Sequence, residues 1–188
     1  LYACGQAQGG VMGGNRLGST SLTEIFVFGK RAGKTAADQS KNRAFADDKV
    51  LKTSLERLQN LFRRNGNNRP VHLKRTLQRL MWEKVGPLRD GKGLQEALEN
   101  IRRLKEQADD LRISSIKTYN SEAVDALELR HMLKTAEAIA LSSFNRRESR
   151  GAHVREDFPD RTEGESVQNM VIEREPAGLA VRSEEVRS

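Results

Sequence analysis

At 188 residues the chain is long enough to bury a core of its own. Its 33 lysines and arginines are interspersed with 26 acidic residues and only 5% aromatic residues, so the net charge of +7 reads as a mixed, solvated surface and not as a nucleic-acid or anionic-membrane footprint. The single cysteine, Cys4, allows no internal disulfide and no metal cluster, and no run approaches the roughly 18 apolar residues of a membrane span.

Leu1 to Cys4 reads as a short strand leading into a loop. Eight of the 15 glycines fall by residue 33, which suits a structured loop whose backbone approaches a ligand closely. Its end, Gly13-Gly14-Asn15-Arg16-Leu17-Gly18-Ser19-Thr20-Ser21-Leu22, feeds directly into an apolar segment. Ser19 or Thr20 is placed to cap a helix beginning near Ser21. Leu22, Ile25, Phe26, Gly29, Gly33 and Ala36 then recur at helical spacing, with both glycines expected on a closely packed face. Gly29 and Gly33, followed by Lys34-Thr35, have one residue too few between them for a phosphate-binding P-loop.

From Asp47 the pattern is helical. Leu51, Leu55, Leu58 and Phe62 form one stripe, ended by Asn65-Gly66-Asn67-Asn68. Pro70 suits the first turn of a second helix with Leu73, Leu77, Leu80 and Met81 on one face. A third helix carries Leu94, Leu98, Ile101, Leu104, Ala108 and Leu111. A fourth, capped near Asn120, presents Leu129, Met132, Leu133, Ala136, Ile139 and Ala140. Each stripe is narrow, so the helices must hide one another's apolar faces in a small antiparallel bundle. After Phe144 the chain turns charged and irregular, with strand candidates at Val167 to Ile172 and Leu179 to Val181 and a frayed end from Arg182.

Two motifs carry a resemblance. Leu1-Tyr2-Ala3-Cys4-Gly5-Gln6 with Asn15-Arg16-Leu17-Gly18 and Ser21-Leu22 resembles the flavin-binding end of the fumarate reductase/succinate dehydrogenase flavoproteins. Glu148-Ser149-Arg150-Gly151-Ala152-His153, with Arg155, Asp157 and Pro159, resembles a second signature of the same family. The fold expected is mainly α. The end of an α/β FAD-binding domain (1–46) would be followed by a helical bundle (47–145) and a charged, irregular tail holding the second motif (146–188). The chain starts in mid-motif, without an initiator methionine, and is expected to be the C-terminal portion of a longer protein, inactive by itself.

The resemblance implies an FAD-dependent oxidoreductase that moves a hydride to or from a dicarboxylate. Arg16 would bind a substrate carboxylate, since a guanidinium offers two parallel hydrogen bonds. Gln6, Ser21 and Leu22 would contact FAD, with Gln6 standing where the family usually has glutamate. A helix start would also stabilise the negative edge of reduced flavin. No catalytic residue and no metal ligand is assigned. Met12 replaces the histidine frequent before Gly-Ala-Asn-Arg in the family, which leaves the choice of substrate open. Arg150 and His153 are expected to form a structural network holding the tail against the flavin domain, His131 to be structural, and Trp82 to lie in a core or interface. An iron–sulfur subunit is the expected partner, with no nucleic acid and with membrane contact only through partner subunits. The expected location is cytoplasmic, including the inner face of the membrane. L-aspartate oxidase, which shares both motifs, and a non-enzymatic helical interaction module are the alternatives.

Overall fold

The computed structural model describes residues 1–8, 18, 20–41, 47–163, 167–176 and 178–186. A single 3-10 turn, Gly5–Ala7, precedes helices α1 (Thr20–Ser40), α2 (Asp48–Arg63) and α3 (Pro70–Lys84). A two-residue strand β1 (Leu88–Arg89), α4 (Gly91–Asp109), α5 (Ser121–Asn145), β2 (Val154–Arg155), β3 (Gln168–Glu175) and β4 (Gly178–Glu185) follow. The chain forms two compact units, Leu1–Lys52 and Thr53–Ser188.

In the second unit the helix boundaries follow from local chemistry. Pro70 opens α3, where a missing N–H costs nothing. The helix ends at Lys84 with Val85 as its cap, and at Gly86 just beyond an added Cβ would stand 2.8 Å from the Trp82 carbonyl oxygen. Asp90 caps α4 by accepting the Gly93 N–H, and Asn120 caps α5 by accepting that of Ala123. The Asn65–Asn68 break lies along Asp110–Arg112, and any side chain at Gly66 would collide with the Asp110 backbone.

Consecutive helices of the bundle run in opposite directions. The Lys84–Glu96 ion pair joins the end of α3 to the start of α4, while Arg69–Glu122 and Lys74–Asp125 join the first turns of α3 and α5. Leu73 and Leu77 of α3 meet Leu94, Ala97, Ile101, Leu104 and Ala108 of α4, and Ala126, Leu129, Leu133, Ala136 and Ala140 of α5. The alanines of α5 let the backbones approach, and each fully buried leucine contributes about 1.5–3 kcal/mol.

Several expectations are corrected. Only the last turn of α2 reaches the core, through Leu61 and the half-buried Phe62; Leu51, Leu55 and Leu58 are exposed. Ile139 is exposed on α5, and Trp82 is 81% exposed, which excludes the core and leaves the interface of the two places expected for it. Leu1–Cys4 forms no strand among the described residues. The tail is more ordered than its charge suggested. The β3 and β4 strands pair antiparallel, aligning Ile172 with Val181, and Arg182 bonds Glu173 across the pair, so the stretch expected to fray is strand as far as Glu185. Met170, Val171 and Ile172 of this hairpin are half-buried, and both of its strands lie near α5.

Candidate functional site

The first unit is built around the start of α1. Gly5 takes a positive φ of +64° and is buried, and a Cβ there would lie 3.1 Å from Ile25 Cγ1. Only glycine satisfies both demands without strain or crowding. The Gly5 N–H donates to Glu24 Oε1 at 3.3 Å, within the interior, so the 3-10 turn lies directly on the first turns of α1. Gln6 is thereby an exposed residue adjoining a helix start that carries the half-buried Ser21 and the exposed Leu22. These three expected cofactor contacts lie in the same small unit. Arg16, with Met12 and Asn15, lies outside the described residues.

Along α1 the apolar stripe is largely uncovered. Leu22 is 60% and Phe26 70% exposed, and Glu24 is the residue of the helix that is buried among those described. The expectation of close packing at both glycines holds only at Gly29, where an added Cβ would touch Cys4 Sγ at 3.7 Å. Gly33 meets nothing within 4 Å and borders a shallow cavity of about 430 Å³ that is also lined by Tyr2, Cys4 and Ala36. Residues 28–35 are all helical, which removes the loop that a P-loop requires.

The downstream signature forms a clamp on the bundle. Arg155 is 2% exposed, and all three of its guanidinium nitrogens are used. Nη1 donates to the carbonyls of Ser143, Phe144 and Arg146 at 2.9, 3.1 and 3.0 Å, satisfying acceptors at the C-terminal end of α5. Nε and Nη2 grip Asp157 through two 2.7 Å bonds, and Asp157 accepts the Gly91 N–H at the start of α4. The β1 and β2 strands pair in parallel, and the Val154 N–H bonds the Pro87 carbonyl. Gly151 has φ +59° at the first central position of the two-residue Arg150–His153 turn, a place that suits glycine.

Glu148 is the second node of the clamp. Buried to 5% exposure, its carboxylate accepts bonds from Arg146, from Arg150 and from the Thr162 N–H at 3.0 Å. Burial by itself would raise its pKa, but the Arg150 and Arg146 guanidiniums and that N–H outweigh it and hold the group at about 2. Asp157 is also held at about 2, chiefly by Arg155, against a smaller opposing effect of desolvation. Desolvation lowers the His153 pKa, and Arg89, Arg146 and Arg155 lower it further, while its bond to the Arg146 carbonyl acts the other way.

A network at Arg150 and His153 is present, but the described contacts of the clamp it belongs to tie the tail to the ends of α4 and α5, within the bundle, and not to the flavin domain as expected. Sequence reasoning missed Glu24, Arg89 and the central part played by Arg155. Glu24 carried no signal, since it falls on the face of α1 opposite the stripe of Leu22, Phe26 and Gly29. Arg89 carried none; it donates to Ser143 Oγ at 2.7 Å from a two-residue strand, and its buried Nε has no hydrogen-bond partner among the described residues. His131 is exposed at the edge of α5. Among the described residues no cluster of metal-binding side chains occurs, and no helix is long and apolar enough to cross a membrane.

Comparison with known proteins places this geometry. Residues 74–188 match the family model described as fumarate reductase flavoprotein C-term. The chain is 37% identical over 168 residues to the fumarate reductase flavoprotein subunit of Haemophilus influenzae, covering 86% of this chain and 28% of that protein. It is 37% identical over 189 residues to the fumarate reductase flavoprotein subunit of Mycobacterium tuberculosis, covering 95% and 32%. A chain of the Mycobacterium smegmatis Sdh1 complex in the apo form superposes with a TM-score of 0.90 at 28% identity, covering 100% of this chain and 33% of that one. The chain thus spans about a third of the length of the relatives it matches. With α4, α5 and the clamped tail inside residues 74–188, the chain belongs to the fumarate reductase/succinate dehydrogenase flavoprotein family.

Proposed function

We propose that the chain is the C-terminal portion of a flavoprotein subunit that interconverts succinate and fumarate. The observation that carries this reading is the packing of the Gly5–Ala7 turn on the first turns of α1, in a chain of this family. That packing sets an exposed amide, Gln6, beside a helix start with a hydroxyl at Ser21 and bare apolar surface at Leu22. Such a set suits FAD, which has a polar sugar-like chain, a flat apolar ring and an edge that becomes negative on reduction. When bound, FAD supplies the hydride chemistry.

The chain's own residues bind and orient. The amide of Gln6 offers the cofactor chain both an acceptor and a donor, without the charge of the family's usual glutamate. Ser21 and Leu22 hold the ring at the helix start, where unpaired N–H groups favour negative charge. Arg16 grips a substrate carboxylate with two parallel bonds and fixes the dicarboxylate in place. An iron–sulfur subunit exchanges electrons with the flavoprotein, which meets the membrane only through its partner subunits.

The test is turnover by the full-length protein purified with its flavin. Succinate oxidation with an artificial acceptor and fumarate reduction with a reduced dye are the expected activities. A flavin-free protein inactive in both directions overturns the proposal. Oxidation of L-aspartate without turnover of succinate would move it to L-aspartate oxidase.

A further inference from the structure

We infer that Glu24 is a positioning residue for the cofactor site, locking the Gly5–Gln6 turn to the start of α1. The inference rests on the flavoprotein reading above and adds to it a residue that touches neither substrate nor ring. Glu24 is 6% exposed, and its Oε1 accepts the Gly5 N–H across nineteen residues of sequence. A carboxylate withdrawn this far from water is costly to bury unless its oxygens accept hydrogen bonds. An apolar side chain would fill the same place without that cost; what the carboxylate adds is a fixed acceptor. The donor it receives needs one equally, because Gly5 is itself buried and its N–H would be left unpaired.

The geometry makes the lock directional. The positive φ of Gly5 turns the chain so that Gln6 follows at the surface, while Ile25, next to Glu24, closes against Gly5. Glu24 lies three residues beyond Ser21 and two beyond Leu22. One side chain therefore sets Gln6 at a fixed place relative to the helix start. The two ends of the cofactor contact, the polar chain at Gln6 and the ring at Ser21 and Leu22, are held in one frame before ligand binds.

The experiment measures FAD affinity of the full-length protein in a double-mutant cycle. Glu24→Met fills the space without an acceptor and is expected to weaken FAD about tenfold or more, as loss of a supporting partner typically does. Glu24→Gln keeps an acceptor and is expected to bind FAD within about twofold of wild type. If Glu24 acts through Gln6, adding Gln6→Ala to Glu24→Met costs no more than about twofold beyond the worse single variant. Effects that multiply, or a Gln variant as poor as the Met variant, overturn the inference while leaving the flavoprotein reading intact. In wild-type holoprotein the Gly5 amide is expected to exchange slowly with deuterium; rapid exchange overturns the inference whether or not Glu24→Met yields folded protein. A wild-type protein that binds no FAD removes both the function and this role.

Discussion

The two motif regions spend their polar groups in opposite ways. Around Arg155 and Glu148, the described guanidinium and carboxylate contacts are made within the chain, to carbonyls of α5, the first N–H of α4 and one another. At the start of α1, Gln6 and Leu22 are exposed, and the buried carboxylate of Glu24 serves the backbone of the turn. A dense charged motif that satisfies itself is a fastener, whereas the start of α1 presents an exposed amide at Gln6 and exposed apolar surface at Leu22. Charge density in the sequence therefore pointed away from the proposed binding end.

The sharpest way to break this comparison is Arg155→Met. It leaves Asp157 without its guanidinium partner and the Ser143 and Phe144 carbonyls of α5 without their Arg155 donor, and is expected to cost about 3–5 kcal/mol in denaturant unfolding of the Thr53–Ser188 unit. A cost below about 0.5 kcal/mol would mean that the clamp is idle.

Acid should loosen the same fastener. The folded pKa of Glu148, about 2, lies below its ordinary 4.5, so its contribution is full above about pH 4.5 and is lost as pH falls toward 2. That contribution is on the order of 3 kcal/mol, with about 2 kcal/mol gone by pH 3. Urea unfolding at pH 6 and pH 3 checks it, and Glu148→Gln should flatten the difference. An unchanged pH slope in that variant would shift the acid sensitivity to Asp157.

The other side of the comparison is sharpened by Arg16→Lys in the full-length protein. Lysine keeps the charge but loses the fork, so kcat/KM for the dicarboxylate is expected to fall at least about a hundredfold, about 2.7 kcal/mol, with FAD content near normal. Unchanged kcat/KM would make Arg16 structural. Loss of FAD instead would place it with Gln6 and Ser21.

The helices α3, α4 and α5 were legible because caps and periodicity are local. Pro70 and Asn120 mark the starts of α3 and α5, and Leu77, Leu94, Ile101, Leu129 and Leu133 mark the buried faces; the Asp90 cap of α4 emerged only in the structure. The same periodicity misled for α2, since Leu51, Leu55 and Leu58 are spaced as a stripe but only Leu61 and Phe62 reach the core. Periodicity identifies an apolar face, not what covers it. Of the candidate site, the residue types at Gln6, Ser21 and Leu22 were readable from the motif.

What the sequence determined by itself was the helical bundle, the place of the two motifs and the family, all carried by residues close together along the chain. Tertiary structure alone decided the partners of Arg155, the hairpin in the charged tail and the burial of Glu24. Two of the bonds involved join groups far apart in sequence, Gly5 to Glu24 and Gly91 to Asp157, and a third, Arg182 to Glu173, forms across the paired strands of the hairpin. A charged side chain has the same composition whether it faces water or closes a buried bond. Only the path of the folded backbone supplies the partner that decides between them.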